Sequence, residues 1–141
     1  MINPNWTIIL TNYALRAPSS TLWVKVLDYV QGPRTLRIQA TGPWSYGGPA
    51  TCGPDGDPAL GFEHGNLHSN ALRGCLLAKI GGSGGDTPGE AKIQAVGSDC
   101  VFDIPENVSG ALFLTMNDHP KRFHLHSGRV IVTISDAPAP A

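Results

Sequence analysis

Apolar and polar residues alternate along much of the chain. Leu36, Ile38 and Ala40 occupy every second position of R-T-L-R-I-Q-A, and the same period of two runs through G-R-V-I-V-T-I near the C-terminus. This period predicts β-strands with one buried face. Further apolar runs lie at residues 6–10, 21–30, 76–80, 91–96, 100–104 and 111–116. Since glycines and prolines separate the runs, the pattern predicts about eight antiparallel strands in an all-β fold, a two-sheet β-sandwich or small jelly roll.

The run A-L-R-G-C-L-L-A-K-I is one that a helix could also explain. Gly74 at its centre and G-G-S-G-G at residues 81–85 favour a strand followed by a turn instead. The final A-P-A-P-A has proline at alternate positions, which prevents ladder pairing. We therefore expect a single sandwich domain at residues 1–136 and a disordered tail at residues 137–141.

Charge and hydropathy argue against several classes of partner. Lys and Arg number 10 against 11 Asp and Glu, so the chain has no strong field for a phosphate backbone, and nucleic acid is not an expected partner. No apolar run approaches the roughly 20 residues of a membrane span, and the start M-I-N-P-N-W lacks the basic and apolar regions of a secretion signal. The three cysteines are too few for a disulfide framework.

Two polar segments hold most of the candidate binding groups. The first runs from Trp44 to Asn70 and contains two histidines together with Tyr46 and Phe62. The second, M-N-D-H-P-K-R-F-H-L-H-S-G at residues 116–128, holds the other three histidines, two cations and one carboxylate. Binding groups concentrate on such loops in β scaffolds, so we expect a site where the two segments meet.

Five blocks of sequence together resemble one family. They are W-S-Y-G-G-P, C-G-P-D-G-D, G-C-L-L-A-K-I-G-G-S-G, F-D-I-P-E-N-V-S-G-A-L-F-L-T-M-N-D-H-P and S-G-R-V-I-V-T-I-S-D, and they span roughly residues 40–136. In order and spacing they are similar to the LecA-type (PA-IL-like) galactophilic bacterial lectins. The first 39 residues match that family only loosely.

The resemblance implies a fold, a ligand and an assembly. The family forms a jelly-roll β-sandwich, commonly a homotetramer, that binds a terminal galactoside of a glycan through calcium. For this chain we therefore expect a homo-oligomer, dimer or tetramer, with its apolar C-terminal strand in the subunit contact. The family is made without a cleaved signal peptide, which implies a bacterial cytoplasmic location, with release or display at the cell surface.

The same resemblance implies a set of metal ligands that this chain only partly retains. The family's segment N-D-V-P-G-T-Y-G-N-N-S-G corresponds here to N-D-H-P-K-R-F-H-L-H-S-G. Tyr46 and Asp118 match two of the calcium ligands, and Arg122 stands where the family uses a loop carbonyl. Leu125 and His126 replace two asparagines, and neither side chain offers a carboxamide oxygen.

Three interpretations of this loop remain open. In the first, Tyr46, Asp118 and the carbonyl of Arg122 hold calcium weakly, with water completing the shell. In the second, His126 joins other histidines around zinc or nickel, because H-L-H in an extended segment would place two rings on one face. In the third, no metal is used, and Arg122 replaces the ion with help from Lys121 and the histidines. The other histidines that could take part are His64, His68, His119 and His124.

The long segment supplies the remaining candidate sugar contacts. His64 can be aligned with the family's sugar-binding polar positions, and Phe62 could offer an apolar face to a pyranose ring. In the shorter segment, His119 lies next to Asp118, whose carboxylate could hold a cation or accept two sugar hydroxyls. Because that segment has the composition of a surface loop, replacing Asp118 is expected to change stability by less than about 0.5 kcal/mol.

No catalytic pattern stands out beside these binding groups. The motifs G-x-S-x-G, H-E-x-x-H and C-x-x-C are absent. Glu63 and His64 are adjacent, so in a strand their side chains would point apart. The sequence thus predicts a carbohydrate-binding module without enzymatic activity. The alternative is a domain of the same fold whose sugar site has decayed and which serves assembly or protein binding.

Overall fold

A computed structural model describes residues 6–85 and 91–138 of the chain. Within them lie ten β-strands and one short 3-10 helix. The elements are β1 (Thr7–Arg16), β2 (Val24–Gln31), β3 (Arg34–Thr41), β4 (Trp44–Gly47), β5 (Ala50–Cys52), β6 (Leu76–Ile80), β7 (Ile93–Ala95), β8 (Asp99–Ile104), β9 (Ser109–Met116), the 3-10 helix (Pro120–Leu125) and β10 (Ser127–Pro138). No helix in these two ranges is long and apolar enough to cross a membrane.

The strands form two antiparallel sheets. The larger has the order β5-β4-β10-β3-β8, with β1 also paired to β10, and the smaller has the order β2-β9-β6-β7. The all-β prediction is confirmed. About eight strands were expected and ten are found in the described ranges, because β4 and β5 form a short hairpin inside the long polar segment.

The predicted alternation fills the space between the sheets. On β3 the side chains of Leu36, Ile38 and Ala40 are buried, while the exposed Gln39 points away from the core. The inward residues of β10, β9 and β6 complete the same cluster: Val130, Val132, Ile134, Leu112, Leu114, Met116, Leu76 and Ala78. Each fully buried Leu or Ile contributes on the order of 2 kcal/mol, so this face fixes the register of the strands.

The outer face of the smaller sheet is also covered. Leu77 and Phe113 point away from the main core and pack in a second cluster with Trp23 and Ala71. Ala71 follows directly after the long polar segment, so that segment is drawn onto the sheet and held close to the end of β9. This packing explains why β6 and β9 have buried residues on both faces.

Strand β10 differs from its expected role in two ways. It continues through Ala137, which is buried, to Pro138, so the predicted tail begins too early; residues 139–141 lie outside the described ranges. It is also interior to its sheet, with β3 along one edge and β1 and β4 along the other. Its inward residues Val130, Val132 and Ile134 fill the core and are not free for a subunit contact, while Ile131 between them is only half-buried; the homo-oligomer stays a prediction.

Candidate functional site

The shorter of the two polar segments, residues 116–128, begins where β9 ends at Met116. His119 caps the 3-10 helix, its Nδ1 accepting a hydrogen bond from the backbone N–H of Lys121 at 3.1 Å, and Pro120 opens the helix. At the far end the backbone N–H of His126 bonds to the carbonyl of Phe123 at 3.1 Å. The expected extended H-L-H is therefore wrong, because most of it is helical.

The helix separates the two histidines that were expected to share a face. His124 is exposed, whereas His126 is buried and its ring packs against Phe123 with the centroids 4.5 Å apart. Leu125, between them, is largely exposed. The pair therefore does not present two imidazoles to one ligand.

Asn117 joins the two binding segments. Its fully buried amide donates hydrogen bonds from Nδ2 to the carbonyls of His68, Ala71 and Leu72 at 2.9, 2.9 and 3.1 Å. Its Oδ1 accepts the backbone N–H of His68 at 2.9 Å. The end of the long segment is thus fixed to the end of β9 by one side chain.

Asp118 is the electrostatic centre of the site. Its Oδ2 lies 2.8 Å from Nε2 of His126, and its Oδ1 accepts the backbone N–H of His119 at 2.7 Å. The Nε atoms of Arg73 and Arg122 each lie 3.0 Å from the same Oδ1. Neither Nε–H is aligned for a hydrogen bond, so these two contacts are Coulombic attractions.

These contacts set the charge state of Asp118. Burial alone would raise the pKa of the carboxyl, but the hydrogen bonds from His126 and the His119 N–H, together with Arg73 and Arg122, lower it below its ordinary value. The side chain is fully buried and both oxygens are engaged. The expectation that Asp118 is an easily replaced surface residue is therefore wrong.

Arg122 extends this cluster to the surface. Its Nη2 lies 2.9 Å from Oε2 of Glu63, and both side chains are about one third exposed. The hydrogen bond to Glu63 raises the pKa of Arg122, burial opposes it, and Asp118 adds to it. Nearby, Gly65 packs under His119 so closely that a Cβ there would lie 2.6 Å from the His119 Cδ2 atom. The two binding segments are in contact at this point.

Tyr46 lies behind the cluster and contacts it through Arg73. The Arg73 guanidinium carbon stands 4.5 Å from the centre of the Tyr46 ring, and the Tyr46 hydroxyl donates to Asp57 at 2.6 Å. That hydrogen bond raises the pKa of Tyr46 and lowers that of Asp57. Trp44 holds the same turn from below, its Nε1 donating to the carbonyl of Gly74 at 2.9 Å.

Phe62 and His64 flank Glu63 at the surface. Phe62 is 68% exposed, the largest exposure among the large apolar side chains in the described ranges. His64 is exposed as well. The structure therefore brings Arg122 and His119 together with residues 62–64, and places Tyr46 and Asp118 beneath them.

Four residues of the site were not predicted from the sequence. They are Arg73, Asn66, Asn117 and Glu63, the last of which pairs with Arg122. Asn66 is 7% exposed, and neither its Oδ1 nor its Nδ2 has a hydrogen bond within the described residues. Its neighbour Leu67 donates its backbone N–H to the carbonyl of Asp118 at 3.1 Å. A carboxylate beside His64 was the available signal for Glu63, whereas no local pattern relates Arg73 to Asp118.

The charges around Asp118 oppose a calcium ion, and whether any metal binds stays a prediction. Calcium takes six to eight oxygen ligands, and it would have to approach Asp118 between two arginine cations that already neutralise the carboxylate. Nor do the described residues contain a group of three or more His, Cys, Asp or Glu side chains placed to hold a metal ion. Zinc or nickel would have to compete with Asp118 for Nε2 of His126, because that nitrogen already contacts the carboxylate.

The fold has a solved counterpart. The EclA N-terminal domain, described as a PllA-like lectin, matches with a TM-score of 0.64 over 90% of this chain and 96% of that chain. The sandwich has the same fold as that domain. The two sequences are 18% identical, a level at which the likeness shows the fold alone. No protein-family model and no curated protein matches the sequence.

The likeness bears on the expected family in part. A lectin-type sandwich was predicted from the sequence, and the fold of the EclA domain supports it. The resemblance to LecA-type lectins in particular stays a prediction.

Proposed function

We propose that this chain is a carbohydrate-binding domain that holds its sugar directly, without a metal ion and without catalysis. The observation that carries the proposal is the pair formed by Glu63 and Arg122, about one third exposed and next to Phe62 at the junction of the two polar segments. The fold shared with the EclA domain, a PllA-like lectin, supports the carbohydrate-binding part of the proposal.

The chemistry of this pair suits a saccharide. Glu63 has carboxylate oxygens that accept hydrogen bonds from hydroxyl groups, and Arg122 has further N–H groups that donate to hydroxyl oxygens. Hydrogen bonds to charged groups contribute about 1.5–3 kcal/mol each, enough for a weak single-sugar site. Phe62 offers an apolar surface to the C–H face of a ring, and His64 and His119 border the pair.

Asp118 has an indirect role in this proposal. Its carboxylate attracts the Nε–H groups of Arg73 and Arg122 from below, which holds the Arg122 guanidinium in its position. The two arginines supply the positive charge that calcium supplies in LecA-type lectins. Asp118 is therefore a positioning residue, and Glu63 and Arg122 are the sugar contacts.

Such a shallow site gains strength from repetition. Several copies in one homo-oligomer raise avidity without any new contact to the glycan. We include a dimer or tetramer in the proposal.

A glycan array with and without a chelator tests the proposal. The wild-type chain should bind the same glycans in both conditions. Glu63→Gln should weaken that signal at least about tenfold, since it removes one charged acceptor. Glu106→Gln, an exposed carboxylate at the β8–β9 turn, is the matched control and should bind as wild type.

The other outcomes are equally informative. Binding that disappears with chelator and returns with calcium would overturn the metal-free site. Silence in both conditions, from a protein with a normal melting temperature, would favour the alternative of a decayed site that serves assembly or protein binding.

A further inference from the structure

A second concave surface lies far from the loops. It is a groove of about 660 Å³ between β1 and β2. β2 is the end strand of the smaller sheet, and among the described strands β1 pairs only with β10, so the groove marks an open side of the sandwich. Asp136 of β10 lines the groove. It lies nine residues along that strand from Ser127, and Ser127 directly follows His126 of the first site. At about 3.3 Å per residue the two sites are roughly 30 Å apart along that strand.

One half of the groove is polar and fixed. The Nε and Nη2 atoms of Arg34 lie 2.8 and 2.7 Å from Oδ2 of Asp136. Both contacts end on Oδ2 of Asp136, and Arg34 keeps further N–H groups. Donors and an acceptor are thus held side by side, with the amide of Gln31 at the same groove.

The other half is aromatic and apolar. Tyr29, which is 60% exposed, lines the groove from β2, and Ile9 lines it from β1. The aromatic ring and the aliphatic side chain give this half of the concave surface an apolar character. A tyrosine ring has few torsions to fix, so it presents a flat surface at a small loss of entropy.

We propose that this groove is a second saccharide-binding site. A sugar ring has an apolar C–H face and an edge of vicinal hydroxyls, and the groove offers a surface for each. The ring packs on Tyr29, one hydroxyl donates to Oδ1 of Asp136, and its neighbour accepts from Arg34. Gln31 completes the hydrogen bonding at the end of the groove. None of these residues belongs to the loop site, so this proposal does not depend on the first.

A protein segment is the competing occupant. The edge of β1 carries the exposed Ile8 and Ile9 and could add a strand from another chain. The observations favour a sugar, because the groove is concave and half of its surface is a preformed ion pair. A strand added at the β1 edge would leave Arg34 and Asp136 without a role.

Amide chemical shifts can separate these possibilities. The probes are the methyl glycosides of galactose, glucose, mannose, fucose and N-acetylglucosamine, each added to the 15N-labelled chain up to about 50 mM, since single-sugar sites bind in the millimolar range. At least one glycoside should move the amide signals of Tyr29, Arg34 and Asp136 in a saturable way. Tyr29→Ala should weaken that response about tenfold or more, while Tyr29→Phe should keep it.

Two control variants accompany the titration. Val101→Ala, an exposed apolar truncation on β8, should respond as wild type, and Glu63→Gln should leave the groove response unchanged while altering the loop site. The proposal is overturned if no glycoside moves the three groove signals, or if Tyr29→Ala leaves the response intact. It is also overturned if the same signals move with protein concentration alone, because that outcome marks a contact between copies of the chain.

Discussion

Nε2 of His126 lies 2.8 Å from Oδ2 of Asp118, although the 3-10 helix separates the two residues. The contact closes residues 118–126 into a compact loop whose first carboxylate is bonded to its last side chain. Because the pair is buried, the loop has its shape before any ligand arrives. The site is preorganised in this respect, which lowers the ordering entropy lost on binding.

Replacing Asp118 by Ala should lower the free energy of unfolding by about 3 kcal/mol, because Arg73 and Arg122 then lose the buried carboxylate that they share. Urea denaturation measures the change. Glu106→Ala, an exposed carboxylate, should change stability by less than about 0.5 kcal/mol. A loss for Asp118→Ala as small as this control would contradict the ion cluster.

Acid should remove the same stabilisation. The pKa of Asp118 is lowered in the folded chain, so its contribution is present above the unfolded value of about 3.9 and is lost as the pH falls through the lower folded value. The difference in unfolding free energy between wild type and Asp118→Asn should therefore shrink below about pH 4. A difference at pH 3 equal to that at pH 7 would show that Asp118 is not charged in the cluster.

Replacing Asn66 by Leu should stabilise the chain. The buried amide of Asn66 has no hydrogen bond within the described residues, and an unsatisfied buried polar group costs about 1–3 kcal/mol. Asn66→Leu has a similar shape and removes both polar atoms, so the melting temperature should rise. Asn70→Leu, at an exposed position, is the control; a fall for Asn66→Leu alone would indicate that the amide has a bonding partner.

The thiols should resist alkylation in the folded chain. Burial raises the pKa of Cys52 and of Cys75 to about 11, and it also raises the pKa of Cys100. At pH 8 roughly one thiol in a thousand is ionised at a pKa near 11, so iodoacetamide should label Cys52 and Cys75 at least tenfold more slowly than after unfolding. Mass spectrometry of the labelled chain at successive times measures this. Rapid native labelling at Cys75 would show that its cluster opens.

The strands were largely predictable because their signal is local. The alternation at Leu36, Ile38 and Ala40 directly encodes which side faces the core, and the structure buries all three. The short strands β4 and β5 were missed because Gly- and Pro-rich sequence around them reads as loop.

The charge cluster was not predictable in the same way. Arg122 and Glu63 stand 59 positions apart, and only the packing of the long segment brings them together. Asp118 has the sequence surroundings of an exposed turn, and its burial follows from contacts made by Arg73 and His126. The histidine pair was misjudged for a related reason, since proline at the start of a turn can begin a 3-10 helix as well as an extended segment.

The counter-ions of Asp118 are part of the chain. In the proposed metal-free site, a loop whose carboxylate is paired with Arg73 and Arg122 has its charges in place as soon as folding is complete, with no loading step. The same polypeptide could therefore keep this loop intact in a chelating medium, in the reducing interior of a cell or outside it. The charge around Asp118 then changes only when the sequence changes, for example by replacement of one arginine. In a metal-dependent site the supply of the ion would also set that charge.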